Sequence, residues 1–367
     1  MVRIVVLGGL GNFGARICRA LAADQSLTVI SASRRRGSAP AVFAALNIQQ
    51  AQIDIAMGGF TEALRRLNPD IVIHCAGPFQ GQDYRVAHAA LACSAHYIDL
   101  ADGRDFVAGF GAALSAAAQQ ANRLAVTGAS TLPALSSAVV DAYTAGFSIL
   151  RSIDTIIAPG QRASRGAATL AGVLDYVGKP FLVWEGSEWR TAYGWQDVRR
   201  VDICVIGKRL SAVCDVPDHV LFPDRYRGVA SVRFRAALEL GIQHRALALL
   251  ATIRRAGLAI SVARLAPWLE VIASKLDAFG TDTGGMTVTL AGVGQNGAPR
   301  TLRWQVIASD NHGPEIPCMA AVLLARKLAE GAVSQTGAMA CMGLVTLEEF
   351  VAEFGKWQMQ TSTEELD

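Results

Sequence analysis

The sequence predicts an α/β protein with a doubly wound parallel sheet at the start of the chain and an α+β second domain with a mixed or antiparallel sheet. Three observations lead to this prediction. The β-branched apolar run 2–7 is typical of a strand buried on both faces, and a glycine-rich turn and an amphipathic helical pattern follow it. Strand and helix patterns then alternate through the first third of the chain. From about residue 150 to residue 309, strand patterns occur without regular helices between them.

The glycine-rich turn contains the pattern G-x-G-x-x-G at Gly9, Gly11 and Gly14. In such a turn the first glycine permits a tight bend, the second lets the backbone approach a pyrophosphate, and the third lets the helix pack close to the strand. The helix N-terminus then offers N–H groups and a partial positive charge to the phosphates. We therefore predict a Rossmann domain that binds a dinucleotide. The cofactor-binding residues predicted in this turn are Gly8, Gly9, Gly11, Asn12, Phe13 and Gly14.

The end of the second predicted strand distinguishes the two nicotinamide cofactors. An NAD site usually places an Asp or Glu about 20 residues after the glycines, where it binds the ribose 2′-hydroxyl. This chain has Ser33, Arg34 and Arg35 there instead. A serine hydroxyl and arginine side chains suit a 2′-phosphate, so the sequence favours NADP(H) as the cofactor. The alternative is a solvated basic loop.

Two later segments add cofactor candidates. Asp54 follows the third predicted strand, where a carboxylate can meet the adenine amino group, although a helix N-cap is an equally good interpretation. A second glycine loop follows the fourth predicted strand, at the carboxyl edge where open α/β sheets bind ligands. We expect Ala76, Gly77 and Pro78 of this loop to contact the cofactor, and Phe79 to contact the substrate.

The candidate catalytic residues are Tyr97 and Asp99, near the carboxyl end of the fifth predicted strand and on one face of it. Hydride transfer is the cofactor's chemistry, so the protein must supply orientation and a proton donor or acceptor. The competing interpretation is structural: the two side chains satisfy each other or a helix N-terminus. Arg162 and Arg165 are candidate substrate-binding residues, because paired arginines bind carboxylate or phosphate bidentately. Two solvated arginines in a surface loop are the alternative.

Four motifs in this chain resemble the saccharopine dehydrogenase-like proteins. They are the G-x-G-x-x-G turn, C-A-G-P-F at 75–79, H-Y-I-D at 96–99 and G-A-S-x-x-P at 128–133. The resemblance implies an NADP-binding Rossmann domain, an α+β substrate and dimerisation domain, and a helix opened by Gly313-Pro314-Glu315 that returns to the Rossmann domain. Tyr97 and Asp99 match the family's Y-x-D. The likeness is to a bacterial branch rather than to the lysine-biosynthetic enzymes, so it does not supply the substrate.

The domain boundaries predicted from these patterns are a Rossmann domain at 1–132, an α+β substrate and dimerisation domain at 133–309, a returning helical segment at 310–352 and a tail at 353–367. Hydrophobic residues make up 51% of the chain and charged residues only 18%, which favours a large buried interface or an apolar pocket. A homodimer is the expected assembly, on the general frequency of such dimers.

The net charge and the cysteine pattern indicate which partners and which cellular compartment to expect. The net charge is +3 with scattered basic residues, so we expect no nucleic-acid partner. The seven cysteines form no C-x-x-C pair, and the first predicted strand begins at residue 2, which leaves no room for a signal peptide. We therefore expect a cytoplasmic protein with reduced cysteines. His219 fits no zinc signature, and we expect no metal.

The segment 242–279 is predicted to be helical and unusually apolar. Arg254, Arg255 and Arg264 interrupt it, so no run of about 20 apolar residues spans a membrane. A helical hairpin buried in the domain or at a dimer interface is the favoured interpretation. Contact with a membrane surface, or a cover over an apolar pocket, is the less favoured one.

Two functional hypotheses follow from the sequence. The first is an NADP-dependent oxidoreductase that transfers hydride to or from a small or partly apolar carbonyl, imine or enoyl substrate. The second is a non-catalytic dinucleotide-binding sensor or a membrane-associated scaffold that keeps the fold. A short-chain dehydrogenase is disfavoured, because that class needs Y-x-x-x-K, whereas Tyr97 is followed by Ala101 and Tyr143 by Phe147 at this spacing.

Overall fold

A computed structural model describes residues 1–34, 40–164, 167–257, 271 and 273–366, without the side chains of 167–170 and 204. The chain divides into two compact units. Unit 1 comprises Met1–Leu135 and Glu315–Val345, and unit 2 comprises Ser136–Pro314 and Thr346–Asp367.

The elements are numbered along the chain. The strands are β1 (Val2–Leu7), β2 (Leu27–Ser33), β3 (Gln49–Gln52), β4 (Ile71–His74), β5 (His96–Asp99), β6 (Leu124–Thr127), β7 (Phe147–Ala158), β8 (Pro180–Glu185), β9 (Glu188–Tyr193), β10 (Arg199–Asp202), β11 (Lys208–Val213), β12 (Ser231–Leu238), β13 (Gly284–Gly294), β14 (Pro299–Ala308), β15 (Gly337–Ala340) and β16 (Gln360–Leu366). The α-helices are α1 (Asn12–Ala22), α2 (Ala41–Ala45), α3 (Phe60–Arg66), α4 (Arg85–Ala92), α5 (Arg104–Gln120), α6 (Ser136–Thr144), α7 (Ala167–Asp175), α8 (Asp218–Arg225), α9 (Gly241–Arg255), α10 (Ile316–Ala329) and α11 (Leu347–Lys356).

Unit 1 is built on a parallel sheet with the strand order β15-β6-β5-β4-β1-β2-β3. The order from β3 to β6 is that of the doubly wound dinucleotide-binding fold, and β15 extends the sheet beyond β6. Strands β4 and β6 are buried at every residue, as the continuous apolar runs of the sequence predict. The predicted doubly wound parallel sheet is confirmed.

Helix α10 joins unit 1 through α1. The Arg16 guanidinium donates to the Glu315 carboxylate at 2.6 Å, and both side chains are largely buried. Farther along, Arg326 donates to the carbonyl of Ala20 at 2.9 Å. A salt bridge from Arg16 and a hydrogen bond to the Ala20 carbonyl therefore hold the returning helix against the helix that follows the glycine turn, as the resemblance implied.

Unit 2 contains a nine-stranded mixed sheet. Its main path is β10-β11-β12-β7-β13-β14-β16, and β8 pairs with both β12 and β9. Only β12 and β7 pair in parallel; the other named strand pairs of this sheet are antiparallel. Buried side chains of β13 and β14, such as Leu290, Trp304 and Val306, belong to the core. The predicted α+β second domain is confirmed.

The last residues of the chain differ from the expected tail. Of the expected tail 353–367, the described residues 353–366 complete α11 and then form β16, which pairs with β14 along Thr301–Ile307. Thr346 and Glu349 form a capping box that begins α11. The strand escaped sequence analysis because it lies at the edge of the sheet and is mostly exposed, so it lacks apolar alternation.

The predicted helical segment 242–279 is described only in part. Helix α9 covers its first portion, and residues 258–270 and 272 lie outside the described residues. Among the described helices, none is both long and apolar enough to cross a bilayer.

Candidate cofactor site

The glycine turn begins with two backbone hydrogen bonds to β2. The N–H groups of Gly8 and Gly9 both donate to the carbonyl of Ala32, at 2.8 and 3.2 Å. Gly8 has a φ of +82°, which favours glycine. A Cβ on Gly9 would lie 2.9 Å from Cα of Ser31 and still closer to the Ser31 hydroxyl. The turn therefore packs against β2 so tightly that a side chain at Gly9 has no room.

Gly14 brings α1 against the turn. A Cβ on Gly14 would lie 2.8 Å from the carbonyl carbon of Gly8 and 2.9 Å from Cα of Gly9. Gly11 is less crowded: its N–H donates to the Gly8 carbonyl at 2.8 Å, and an added Cβ would lie 3.1 Å from that oxygen. The third glycine of the motif is therefore required by packing, and the second leaves an open backbone surface.

Helix α1 presents an uncapped N-terminus at this turn. Its N-cap residue is Gly11, which has no side chain to accept from the first N–H groups, and its first turn has no acidic residue. Asn12 and Phe13 are partly exposed there. A helix of this kind carries partial positive charge at its N-terminus and suits a phosphate. The turn and helix thus fit the pyrophosphate of a dinucleotide.

The end of β2 places the predicted 2′-phosphate residues beside β3. The Ser33 carbonyl accepts from the Ile53 N–H at 3.0 Å, and the Arg34 carbonyl accepts from the Gln52 side chain at 3.2 Å. Ser33 is partly exposed and the Arg34 side chain is exposed. Arg35 lies outside the described residues. Hydrogen bonds accepted by their main-chain carbonyls therefore fix the backbone of Ser33 and Arg34, and the Arg34 side chain is exposed to solvent.

The second glycine loop packs on the first. The Cys75 N–H donates to the Leu7 carbonyl at 2.8 Å, and a Cβ on Gly8 would lie 3.1 Å from the nitrogen of Ala76. The Gln82 side-chain amide donates to the carbonyls of Ala76 and Pro78, at 3.0 and 2.6 Å, which closes the loop around Gly77. Both predicted loops therefore lie together at the carboxyl ends of β1 and β4.

Two predicted site residues have local structural roles. The Asp54 carboxylate accepts from the Ala56 N–H at 3.0 Å and closes a turn after β3. Its helix N-cap interpretation is wrong, since Gly59 is the N-cap of α3. The Phe79 ring is 5% exposed and contacts the rings of His74 and Phe106, with centroids 5.0 and 5.5 Å away. Within unit 1, Phe79 packs in an aromatic cluster, and its contact with substrate stays a prediction.

Tyr97 and His74 form a buried polar pair that the sequence analysis did not foresee. The Tyr97 hydroxyl lies 3.0 Å from Nδ1 of His74, and both residues are 1% exposed. Burial lowers the pKa of His74 to about 4, so the imidazole is neutral at pH 7. Burial, and then the charge of Asp99, holds the pKa of Tyr97 well above its usual range. Tyr97 is therefore a protonated phenol beside a neutral histidine.

Asp99 is wholly buried at the end of β5 and binds the neighbouring turn. Its Oδ1 accepts from the N–H groups of Ala101 and Gly128 at 2.9 Å each, and from the Thr127 hydroxyl at 2.8 Å. Burial raises the pKa of Asp99 to about 6, and these three hydrogen bonds oppose that rise. Asp99 thus joins the carboxyl ends of β5 and β6. Its catalytic role stays a prediction.

The arginine loop belongs to unit 2. Arg162 is exposed, and its Nε donates to the carbonyl of Asp277 at 3.1 Å. Arg165 lies outside the described residues. Substrate binding by either arginine stays a prediction.

His74 is the site-forming residue that sequence reasoning missed. It is the last residue of β4, directly before the second glycine loop, and β4 and β5 pair it in register with Asp99. Its position at a strand's carboxyl end was the available signal. Within the described residues, no group of three His, Cys, Asp or Glu side chains is placed to hold a metal ion.

Comparisons with known proteins give a matching domain model and similar folds. Residues 4–139 match the model of the saccharopine dehydrogenase NADP binding domain. The fold is similar to apo histidine-tagged saccharopine dehydrogenase (L-Glu forming) from Saccharomyces cerevisiae, with 12% identity, a TM-score of 0.72 and 100% of both chains covered. It is also similar to homospermidine synthase from Legionella pneumophila in complex with NAD, with 10% identity, a TM-score of 0.58 and 100% and 92% of the two chains covered. No curated protein matches the chain in sequence.

The domain match confirms two predictions: the resemblance stated from the motifs, and a nicotinamide dinucleotide as the cofactor. The structural likenesses, at these low identities, show the fold.

Proposed function

Because the domain at residues 4–139 belongs to the saccharopine dehydrogenase NADP-binding family, we propose that this chain is an NADP-dependent oxidoreductase. Its proposed substrate is a small or partly apolar carbonyl, imine or enoyl compound. The observation that carries the proposal is the glycine turn, where Gly9 and Gly14 admit no side chain and α1 begins without a side-chain cap. When bound, the nicotinamide supplies the hydride chemistry.

The proposed preference for NADP over NAD depends on the end of β2. In the sequence, Ser33 and the exposed Arg34 occupy the positions where an NAD site has a carboxylate, and the carbonyls of both accept hydrogen bonds from Gln52 and Ile53. A guanidinium binds a phosphate with charge-assisted hydrogen bonds, whereas a carboxylate in its place repels one. Arg35 is proposed as a second ligand of the 2′-phosphate on its sequence position alone.

The proposed catalytic pair, Tyr97 and Asp99, lies at the carboxyl end of β5, where Tyr97 contacts His74 of β4. Tyr97 keeps its proton, His74 is neutral, and Asp99, with a pKa of about 6, is mostly ionised at pH 7. Such a group of a donor and two acceptors can orient a proton or a substrate oxygen near the cofactor loops. Phe79, Arg162 and Arg165 are proposed to contact the substrate.

The experiment that tests the cofactor is a charge reversal at Arg34. We expect Arg34→Asp to weaken NADPH binding about tenfold or more and to leave NADH binding nearly unchanged, because a charge-assisted contact to the 2′-phosphate is replaced by repulsion. Arg66→Asp is the matched control. Arg66 is exposed at the end of α3, just before β4 begins, and so lies at the opposite edge of the sheet.

Fluorescence or calorimetric titration of both variants with both cofactors gives the readout. Equal loss of NADPH affinity in Arg34→Asp and Arg66→Asp, or no loss in either, would contradict the assigned 2′-phosphate site.

A second candidate function is a dinucleotide-binding sensor without turnover. The burial of Tyr97 and Asp99, at 1% and 0% exposure, favours it, since neither proposed catalytic group is exposed. The oxidoreductase transfers hydride from the bound cofactor to a substrate, and the sensor does not. Oxidation of NADPH in the presence of a panel of carbonyl and imine compounds supports the oxidoreductase. Saturable NADPH binding with no oxidation across the panel supports the sensor.

A further inference from the structure

Unit 2 contains a cleft of about 340 Å³ where the edge strand β10 and its neighbour β11 meet the start of α9. We refer to it as the β10–α9 cleft. It is lined by Arg200, Lys208, Arg209, Leu210, Glu239, Gly241 and Arg245. Four of these seven residues are cations and one is an anion, so the lining is strongly basic.

Two of the charged lining residues, Arg209 and Glu239, already form hydrogen bonds and an ion pair within the protein. The buried Arg209 guanidinium donates to the Pro159 carbonyl at 2.8 Å and lies 3.9 Å from the Glu239 carboxylate. Glu239 also accepts from the N–H groups of Gln161 and Thr281, at 2.7 and 3.0 Å. Arg209 and Glu239 therefore offset each other's charge, and both are also bound to neighbouring backbone groups.

The other three cations, Arg200, Lys208 and Arg245, are exposed and have no ion pair within the described part of the chain. Asp202 stands opposite Lys208 in the strand register and forms no ion pair with it there. Like charges gathered around one concave surface repel each other and raise the local concentration of anions. The cleft thus carries positive charge that a bound anion would compensate.

The N-terminus of α9 adds to this field. This 15-residue helix begins at Gly241 in the cleft lining, its N-cap Leu240 makes no side-chain cap, and its first turn has no acidic residue. A Cβ on Gly241 would lie 3.7 Å from Nη1 of Arg245, so the guanidinium is close to the helix start. The Arg245 guanidinium and the N-terminus of α9 therefore lie close together in the cleft, and Arg200 of β10 and Lys208 of β11 belong to the same lining.

We propose that the β10–α9 cleft binds a phosphate group. A phosphate monoester carries a charge of about −1.5 to −2 at pH 7 and presents three acceptor oxygens, which suits three cations and a helix N-terminus better than a single carboxylate does. The volume of the cleft also leaves room for a larger molecule that carries the phosphate. This inference does not depend on the proposed oxidoreductase activity.

Two sources can supply the phosphate: a soluble phosphorylated compound or the headgroup of an anionic lipid. Ile242, next to Gly241, is 69% exposed, and Leu249 on the same helix is 62% exposed. Exposed apolar side chains beside a basic cleft are typical of a surface that meets a membrane. The experiment therefore has one arm for each source.

The first arm titrates the full chain with inorganic pyrophosphate by calorimetry, with and without saturating NADPH. The second measures flotation with phosphatidylcholine vesicles that contain or lack phosphatidate. Both compare the wild type with the double variant Arg200→Ala/Arg245→Ala. The control is Arg199→Ala, because Arg199 neighbours Arg200 on β10 and projects from the opposite face of the strand.

We expect the double variant to lose about tenfold or more of the affinity for pyrophosphate or for phosphatidate vesicles, and Arg199→Ala to change it less than about twofold. Loss in the first arm assigns a soluble ligand, and loss in the second a lipid headgroup. Two results overturn the proposal: binding that is the same in the double variant and the wild type, or no saturable binding in either arm. All substituted side chains are exposed, and thermal unfolding of each variant checks the fold.

Discussion

The glycine turn of unit 1 and the β10–α9 cleft of unit 2 both suit an anion, but they are built from different parts of the chain. The turn uses backbone N–H groups within a few consecutive residues, and its shape depends on missing side chains at Gly9 and Gly14. The cleft uses side chains from β10, β11 and α9. The turn tolerates no added atom at Gly9 or Gly14, whereas a site made of several cations loses affinity one contact at a time.

The largest expected effect is that of one methyl group in the turn. Gly14→Ala places a Cβ 2.8 Å from the Gly8 carbonyl carbon, so α1 must move away from β1. We expect NADPH affinity to fall about a hundredfold or more and the free energy of unfolding to fall by about 3 kcal/mol. Gly58→Ala is the control, since nothing lies within 4 Å of its added Cβ. Equal effects of the two substitutions would refute the packing argument.

The two units also differ in how they hold a buried carboxyl group. Asp99 in unit 1 has three donors on one oxygen and a pKa raised to about 6. Asp218 in unit 2 is 2% exposed, and burial raises its pKa to about 7. Among the neighbouring side chains, only the Ser136 hydroxyl lowers the pKa of Asp218. It is not positioned to donate a well-formed hydrogen bond to either carboxyl oxygen. The carboxyl group with more hydrogen-bond donors therefore has the smaller rise in pKa.

This difference predicts an ordered pH dependence of stability. A carboxyl whose pKa is raised on folding favours the folded state at low pH, and that contribution is lost as pH rises through the folded pKa. Between about pH 4 and pH 7, Asp218→Asn should therefore gain roughly 3 kcal/mol of unfolding free energy relative to the wild type. For Asp99→Asn the gain should be smaller and should level off above about pH 6.

Denaturant unfolding at pH 4, 5.5 and 7.5 measures both gains. A difference from the wild type that does not change with pH, for either variant, would show that the carboxyl concerned is not the titrating group.

The smallest expected effect belongs to a single cation of the cleft. Arg200→Ala leaves Lys208, Arg245 and the start of α9 in place, so we expect only about a fivefold loss of pyrophosphate affinity. The loss should shrink as salt is added, because exposed charges are screened. An effect as large as that of Gly14→Ala on NADPH would remove the distinction between the two kinds of site.

The sequence predicted those parts of the molecule that depend on neighbouring residues in the chain. The fold class and the glycine turn follow from consecutive residues, because strand, turn and helix patterns are contiguous in Rossmann folds. Sequence analysis missed the features that are formed by residues far apart in the chain. The contact of Tyr97 with His74 joins two strands, and the cleft joins three elements. The edge strand β16 lacks a buried face and so has no readable alternation.

The most direct test of the proposed function is a side-by-side titration of the wild-type chain with NADPH and NADH, followed by fluorescence or calorimetry. The proposal predicts one saturable site that binds NADPH about tenfold more tightly or better, because Ser33 and Arg34 favour the 2′-phosphate. Tighter binding of NADH, or no saturable binding of either cofactor, would contradict it.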